Sequence, residues 1–135
     1  MKRVKAIIEM GKDASFDINM EYMEDYPFGV LGQGATVEEA KKDFYNTYNE
    51  MKELMIEQGV EFEELEFDFV FDTSAFLQSL STTFSMAGLA KITGMNRKQL
   101  GHYVQGVSKP RAETAEKIQR RILNYTHEIS NARFI

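Results

Sequence analysis

Ser85-Met86-Ala87-Gly88-Leu89-Ala90-Lys91-Ile92-Thr93-Gly94-Met95-Asn96-Arg97-Lys98-Gln99-Leu100 is the stretch on which the fold of the second half of the chain turns. Ser85 has the side chain of a helix cap, with an oxygen placed to accept one of the free amides of a first turn. The helix it opens spans 86–93 and presents Leu89 and Ala90 inward. Thr93-Gly94-Met95 then makes a tight turn, in which Gly94 is free to take positive φ. Asn96 caps again, and the next helix, 97–104, turns Leu100, Tyr103 and Val104 inward until Gly106 ends it. Two short helices joined by a three- or four-residue turn containing glycine form a helix-turn-helix arrangement.

Working outward, Asp72-Thr73-Ser74 offers carboxylate and hydroxyl caps for a helix over 75–83 that buries Phe76, Leu77 and Leu80. On the other side, Lys109-Pro110-Arg111 is an extended connection, and a last helix over 112–124 buries Ala115, Ile118 and Ile122. Residues 73–135 are therefore expected to form an all-α unit.

Residues 1–72 have another rhythm. Val4, Ala6, Ile8 and Met10 alternate with polar neighbours over 2–10. After the turn-like Gly11-Lys12-Asp13, residues 15–22 place Phe16, Ile18, Met20 and Tyr22 on one side, the period of a half-buried hairpin strand. Val30-Leu31-Gly32-Gln33 reads as a short third strand. Thr36-Val37-Glu38-Glu39 is then a capping box. Val37, Ala40, Phe44, Tyr48, Met51 and Met55 recur at helical spacing over 37–58, and Gly59 supplies the stop. Residues 65–71 alternate once more. The order is β-β-β-α-β, one sheet face for one helix face. The fold class is α+β, with domains 1–72 and 73–135.

Charge divides at the same place. Through residue 78 there are 7 Lys/Arg against 18 Asp/Glu, a net of −11; from Ser79 there are 9 against 3, a net of +6. A cationic surface attracts a phosphate backbone and an anionic one is repelled by it, so the two parts are expected to face different partners. The chain has no cysteine, which excludes disulfides, thiolate zinc sites and a thiol nucleophile. No apolar run approaches the ~20 residues of a membrane span, and the chain reads as soluble and cytoplasmic, with no membrane partner.

A helix entering the major groove brings its first turn to base edges. Arg97, Lys98, Gln99 and His102 are read as the exposed face of such a helix. Arg and Lys match guanine O6/N7, and Gln matches adenine N6/N7. Ser85 and Asn96 stand with them at the two helix starts, and Lys109 and Arg111 suit phosphates, which fix register without reading sequence. In the acidic part, Asp17, Glu21, Glu66 and Asp68 form an outward row that can complement a basic protein partner. Glu9, Asp68 and Asp72 are the carboxylates from which a divalent metal site for phosphodiester hydrolysis would have to be built. Residues of that kind are more simply read as a solvated face, and no metal, cofactor or enzymatic activity is expected.

The stretch 84–100, continuing to Gly106 and then Ser108-Lys109-Pro110-Arg111-Ala112-Glu113-Thr114-Ala115, resembles the Xre/Cro-like repressor domain. The first 72 residues resemble the HicB antitoxin module, through the β-β-β-α-β order and Gly32-Gln33-Gly34-Ala35-Thr36-Val37-Glu38-Glu39-Ala40. The resemblance implies a partial RNase H-like module, without catalytic carboxylates, that blocks a small basic HicA-like toxin, an mRNA interferase. It also implies a helix-turn-helix that represses the chain's own operon on a palindromic operator as a homodimer or higher even oligomer. The competing readings are a stand-alone regulator, whose acidic part dimerises or senses a ligand, and a metal-dependent nuclease.

Overall fold

A computed structural model describes every residue from Met1 to Ile135. The chain forms two compact units, Met1–Asp72 and Thr73–Ile135. The boundary falls where the charge changes sign, since residues 73–78 carry no charge.

The first unit contains β1 (Lys2–Met10), β2 (Phe16–Met20), β3 (Leu31–Gly34), α1 (Val37–Glu57) and β4 (Leu65–Phe71). The sheet order is β3-β2-β1-β4. β1 runs antiparallel to β2, with Ile8 opposite Ile18, and β2 runs antiparallel to β3. β4 lies parallel to β1, with Val4 beside Phe67. A parallel neighbour needs a crossover, and α1 is the element that makes it. Alternation then does what period-2 patterning requires: Val4, Ala6, Ile8, Phe16, Ile18, Leu65 and Phe67 meet Ala40, Phe44 and Tyr48 of the helix in one core. Phe44 is completely buried, with its ring edge-on to Phe67 at 4.7 Å between centroids.

α1 starts as the capping box specifies. The Glu39 amide donates to Thr36 Oγ1 at 3.1 Å, while the Glu39 carboxylate reaches back to the Ala35 amide. Gly32 and Gly34 let this first part of the helix lie directly on β3. A Cβ at Gly32 would come within 2.5 Å of the Ala40 carbonyl oxygen, and one at Gly34 within 2.5 Å of the Ala40 nitrogen. These glycines therefore serve packing. Midway along the helix the Tyr48 hydroxyl accepts from the Leu65 amide at 2.9 Å and donates to the Glu64 carboxylate, which Lys52 also pairs.

Tyr22 departs from expectation. β2 ends at Met20, so Tyr22 lies beyond the pairing that would hold it to the apolar face, and it is 86 % exposed. Side-chain alternation assigns a face only while the ladder continues.

The second unit contains α2 (Thr73–Leu80), α3 (Met86–Thr93), α4 (Arg97–Gln105) and α5 (Ala112–Asn131). Leu77, Leu89, Leu100, Tyr103 and Ile118 are its buried core. The third helix of the chain has the expected bounds, but its neighbours differ. α2 begins two residues earlier than expected and stops three earlier, because the Thr83 and Phe84 amides both turn back to the Leu80 carbonyl. Phe76 is half-buried rather than core. α5 runs seven residues further than expected: no breaker interrupts 124–131, and Tyr125 and Ile129 carry on its apolar spacing. No helix is long and apolar enough to cross a membrane.

Candidate nucleic-acid interface

Every capping residue between Ser85 and Gly106 is in place, and together they set how α4 stands. The Gly88 amide donates to Ser85 Oγ at 3.0 Å. At the other end of α3, Gly94 has φ 72° and its amide donates to the Ala90 carbonyl at 2.9 Å. Thr93 is fully buried; its hydroxyl donates to the Leu89 carbonyl and accepts from the Met95 amide, tying the turn to the helix it leaves. Asn96 Oδ1 then accepts from the Gln99 amide at 2.8 Å, and Asn96 is itself exposed. α4 closes at Gly106, φ 74°, whose amide donates to the carbonyls of His102 and Tyr103.

Leu100 and Tyr103 anchor α4 in the core, and the 100° helical step then fixes where everything else points. Arg97 and Lys98 are exposed at its first turn. With the exposed Asn96 cap they gather two full positive charges and the N-terminal dipole end of the helix at one spot. Gln99 comes round toward the anchored side and is half-buried, which corrects the expectation that it shares the open face; its amide is used in the cap. His102 is also half-buried, on the outward side of the helix. Two residues that sequence reading passed over complete the outward face. Gln105 is exposed and falls within α4 because the helix runs one residue further than expected. Gly101 sits in the middle of that face, where an added Cβ would meet nothing within 4 Å.

Ser85, Lys109 and Arg111 are exposed, with Arg111 in the N-cap position of α5 and making no side-chain cap bond. Arg121 lies on α5 and serves neither as a merely solvated side chain nor at its own helix's C-terminus. Its guanidinium lies over the Gly94 turn, with Cζ 3.5 Å from where a Gly94 Cβ would stand. A cation there also faces the carbonyl end of α3, where negative partial charge collects.

The acidic residues are placed less uniformly. Asp17, Glu66 and Asp68 lie on the sheet face opposite α1, and Glu21 follows the end of β2, its amide donating to the Lys5 carbonyl. They are not a continuous anionic row. Glu66 pairs with Arg3 at 3.7 Å and Asp68 stands opposite Lys5 in the ladder, so β1 supplies two cations in their midst. The unneutralised end is at the hairpin, where Asp17 faces Glu9 directly across the strands. Like charges so opposed are destabilising. Between the two ends runs a row formed by the exposed Leu31 with Asn19, Ile7 and Val70. No group of three histidine or carboxylate side chains is gathered to hold an ion, so Glu9, Asp68 and Asp72 do not come together as a metal site.

Two side chains of the first unit are shifted from ordinary protonation behaviour, one by hydrogen bonds and one by burial. Hydrogen bonds from the Ser15 hydroxyl and amide hold the Asp13 carboxyl below the usual carboxylate range. Burial, with Tyr48 and Glu63 nearby, pushes the Tyr26 phenol up to about 12; its hydroxyl donates to the Glu63 carbonyl. Neither belongs to a cluster with catalytic geometry. Compared with known proteins, the chain matches no family model, no curated protein and no solved structure.

Proposed function

We propose that this chain is a DNA-binding autorepressor and antitoxin: its basic unit holds operator DNA through a helix-turn-helix, and its acidic unit neutralises a small basic RNA-cleaving toxin of HicA type. The observation that carries the reading is the first turn of α4. Arg97 and Lys98 stand exposed beside the Asn96 cap, on a helix anchored from behind by Leu100 and Tyr103. In this reading α3 and α4 are the helix-turn-helix and α4 enters the major groove. Arg97, Lys98, Gln105 and His102 face bases, and Arg111 and Lys109 hold phosphates.

The acidic unit's part rests on its charge, −11 against +6, and on its topology. A central β1, antiparallel to β2 and parallel to β4 across a crossover helix, suits a partial RNase H-like module. The Glu9–Asp17 end, free of neutralising strand partners, is the side of the open sheet face best suited to a cationic toxin.

Binding of the full chain to DNA from its own promoter, against random duplex and across salt concentrations, tests the reading. Arg97→Ala should lower the ratio of specific to random affinity by a factor of about 5–150, the equivalent of about 1–3 kcal/mol for one lost base contact. Arg111→Ala should weaken both alike and reduce the salt slope by about 1. Equal, salt-insensitive binding of wild type and both variants would end the DNA reading. Failure of the chain to co-purify with the product of a neighbouring gene for a short basic protein would end the antitoxin reading.

A further inference from the structure

α3 and α5 leave a groove of about 510 Å³ between them, within the roughly 300–1,000 Å³ of sites that hold a small molecule. Phe84, just ahead of α3, meets Tyr125 edge-on with centroids 6.2 Å apart. Arg121 stands over the Gly94 turn, past the other end of α3. The two helices therefore run antiparallel, and the groove has two unlike ends. At one end Arg121 and Lys91, in the last turn of α3, are both exposed, and neither is engaged in an ion pair. At the other, the half-buried rings of Phe84 and Tyr125 make an apolar wall, and Glu128 lies beyond them. Between the ends Gly88 puts no side chain on the floor, and Ile92 lines it. Arg121 and Glu128 are seven residues apart on α5, about 10 Å along the axis at ~1.5 Å per residue.

We infer that this groove binds a small aromatic monocarboxylate. Two cations at one end of an apolar trough repel each other, and an anion seated between them relieves that repulsion. The ligand's carboxylate meets Lys91 and Arg121, whose planar fork can take both oxygens at once. Its ring crosses the Gly88 floor beside Ile92 and reaches Phe84 and Tyr125, against which a third ring packs edge-on or offset. A phenyl ring on a two-carbon acid arm is roughly 8 Å long at ~1.5 Å per bond, so it fits between the cations and Glu128. Glu128 then sets the class. A second carboxylate on the far side of the ring would face it, whereas a single acid leaves it in water. A nucleic-acid strand is a poor match, because it carries charge along its whole length and would meet Glu128 as well. The inference goes beyond the DNA reading and stands or falls without it.

The test is amide NMR of the full chain, without DNA, titrated with hydrocinnamate. Saturable shifts are expected at Gly88, Ile92 and Gly94, with a dissociation constant on the order of 1 mM for a ligand of this size. Hydrocinnamamide, which keeps the ring and loses the charge, should bind at least about tenfold more weakly. Propanoate, which keeps the charge and loses the ring, should do the same. Lys91→Gln and Arg121→Gln should each weaken hydrocinnamate about three- to tenfold; both side chains are exposed, and Lys91 also stands clear of the Gly94 turn, so its variant keeps the wild-type melting temperature. The para-carboxylated analogue of hydrocinnamate should bind at least about tenfold more weakly than its parent, and Glu128→Gln should narrow that gap to about threefold or less. Absence of saturable shifts at about tenfold above the expected constant overturns the inference. So do shifts confined to Arg97 and Lys98, equal binding of either stripped-down probe, or affinity that neither glutamine variant at the cations moves. A dicarboxylate gap that survives Glu128→Gln also overturns it.

Discussion

In Met1–Asp72 the neighbours that hold a residue come from far along the chain. Val4 stands beside Phe67, Phe16 beside Gly34, and the Tyr48 hydroxyl receives the Leu65 amide. In Thr73–Ile135 the organising bonds span three or four residues: Gly88 to Ser85, Gly94 to Ala90, Gln99 to Asn96. The acidic unit is thus a sheet and helix closed by non-local pairing around an aromatic core, and the basic unit a set of helices, α3 and α4 short and side-chain capped, around Leu77, Leu89, Leu100, Tyr103 and Ile118. Non-local closure makes each core position costly to change, whereas local capping fixes each helix end by bonds to its own neighbours. The surfaces differ accordingly. The acidic unit spreads its carboxylates over α1, the open sheet face and the loops, and the basic unit sets two of its nine cations, Arg97 and Lys98, side by side at one exposed helix start.

The largest effect expected is on the core of the acidic unit. Phe44 is wholly buried, edge-on to Phe67 and Phe69, and Phe44→Ala should cost about 3–5 kcal/mol. Amide hydrogen exchange gives the sharper reading. Protection should collapse throughout β1–β4 while the amides of α3 and α4 keep theirs. If α3 and α4 lose protection in step, the two units unfold as one and the contrast drawn above is wrong.

Next in size is Gly32→Ala. Its new methyl would press on the Ala40 carbonyl oxygen and the Phe44 backbone nitrogen at 2.5 and 2.6 Å. Those are backbone atoms of a 21-residue helix and cannot swing aside. A loss of about 1–3 kcal/mol is expected, read from the midpoint of chemical denaturation. An unchanged midpoint would mean that α1 does not sit on β3 as closely as described.

The same contrast governs what the sequence disclosed. Where a signal is local, it was legible to the residue: Thr36, Ser85, Asn96, Gly94 and Gly106 mark α1, α3 and α4 because a cap is a bond between near neighbours. Where the outcome depends on distant chain, the sequence was silent. Tyr22 continues the alternation of β2 but falls past the last ladder pair. Lys5 and Arg3 neutralise part of the acidic row only because β4 lies parallel to β1 in that register. Gln99 shares the polarity of Arg97 and Lys98, yet the anchoring of Leu100 and Tyr103 rotates it toward the core. α5 runs on past Asn124 with Tyr125 against Phe84, while Ile129 further along is exposed, so burial marks its last turns only weakly.

A smaller effect separates the two kinds of helix start. Asn96→Ala and Thr36→Ala each remove one cap bond, worth about 1 kcal/mol. α1 is held along its length by Ala40, Phe44, Tyr48 and Met55, whereas α4 has nine residues and two buried anchors. Circular dichroism should therefore show helix loss on warming well below global unfolding for Asn96→Ala and not for Thr36→Ala. DNA affinity should fall with the first variant alone. Equal fraying in both would show that burial does not protect α1 as proposed.

The smallest effect has the opposite sign, and it separates fold from function most cleanly. Gly101 occupies a helix interior, where glycine is less favourable than alanine by about 0.5–1 kcal/mol, and nothing lies within 4 Å of its missing side chain. The fold has no use for a glycine there, in contrast to Gly32, where a methyl cannot be admitted. Gly101→Ala should accordingly raise stability by about 0.5–1 kcal/mol, seen as a small upward shift of the denaturation midpoint. If α4 enters a groove, the same methyl stands on the side turned to DNA, between Lys98 and Gln105. Affinity should then fall even as stability rises, since the added atom holds the helix away from the bases it reads. A variant that is more stable and binds as well as wild type would show that the outward side of α4 is not the side that meets DNA.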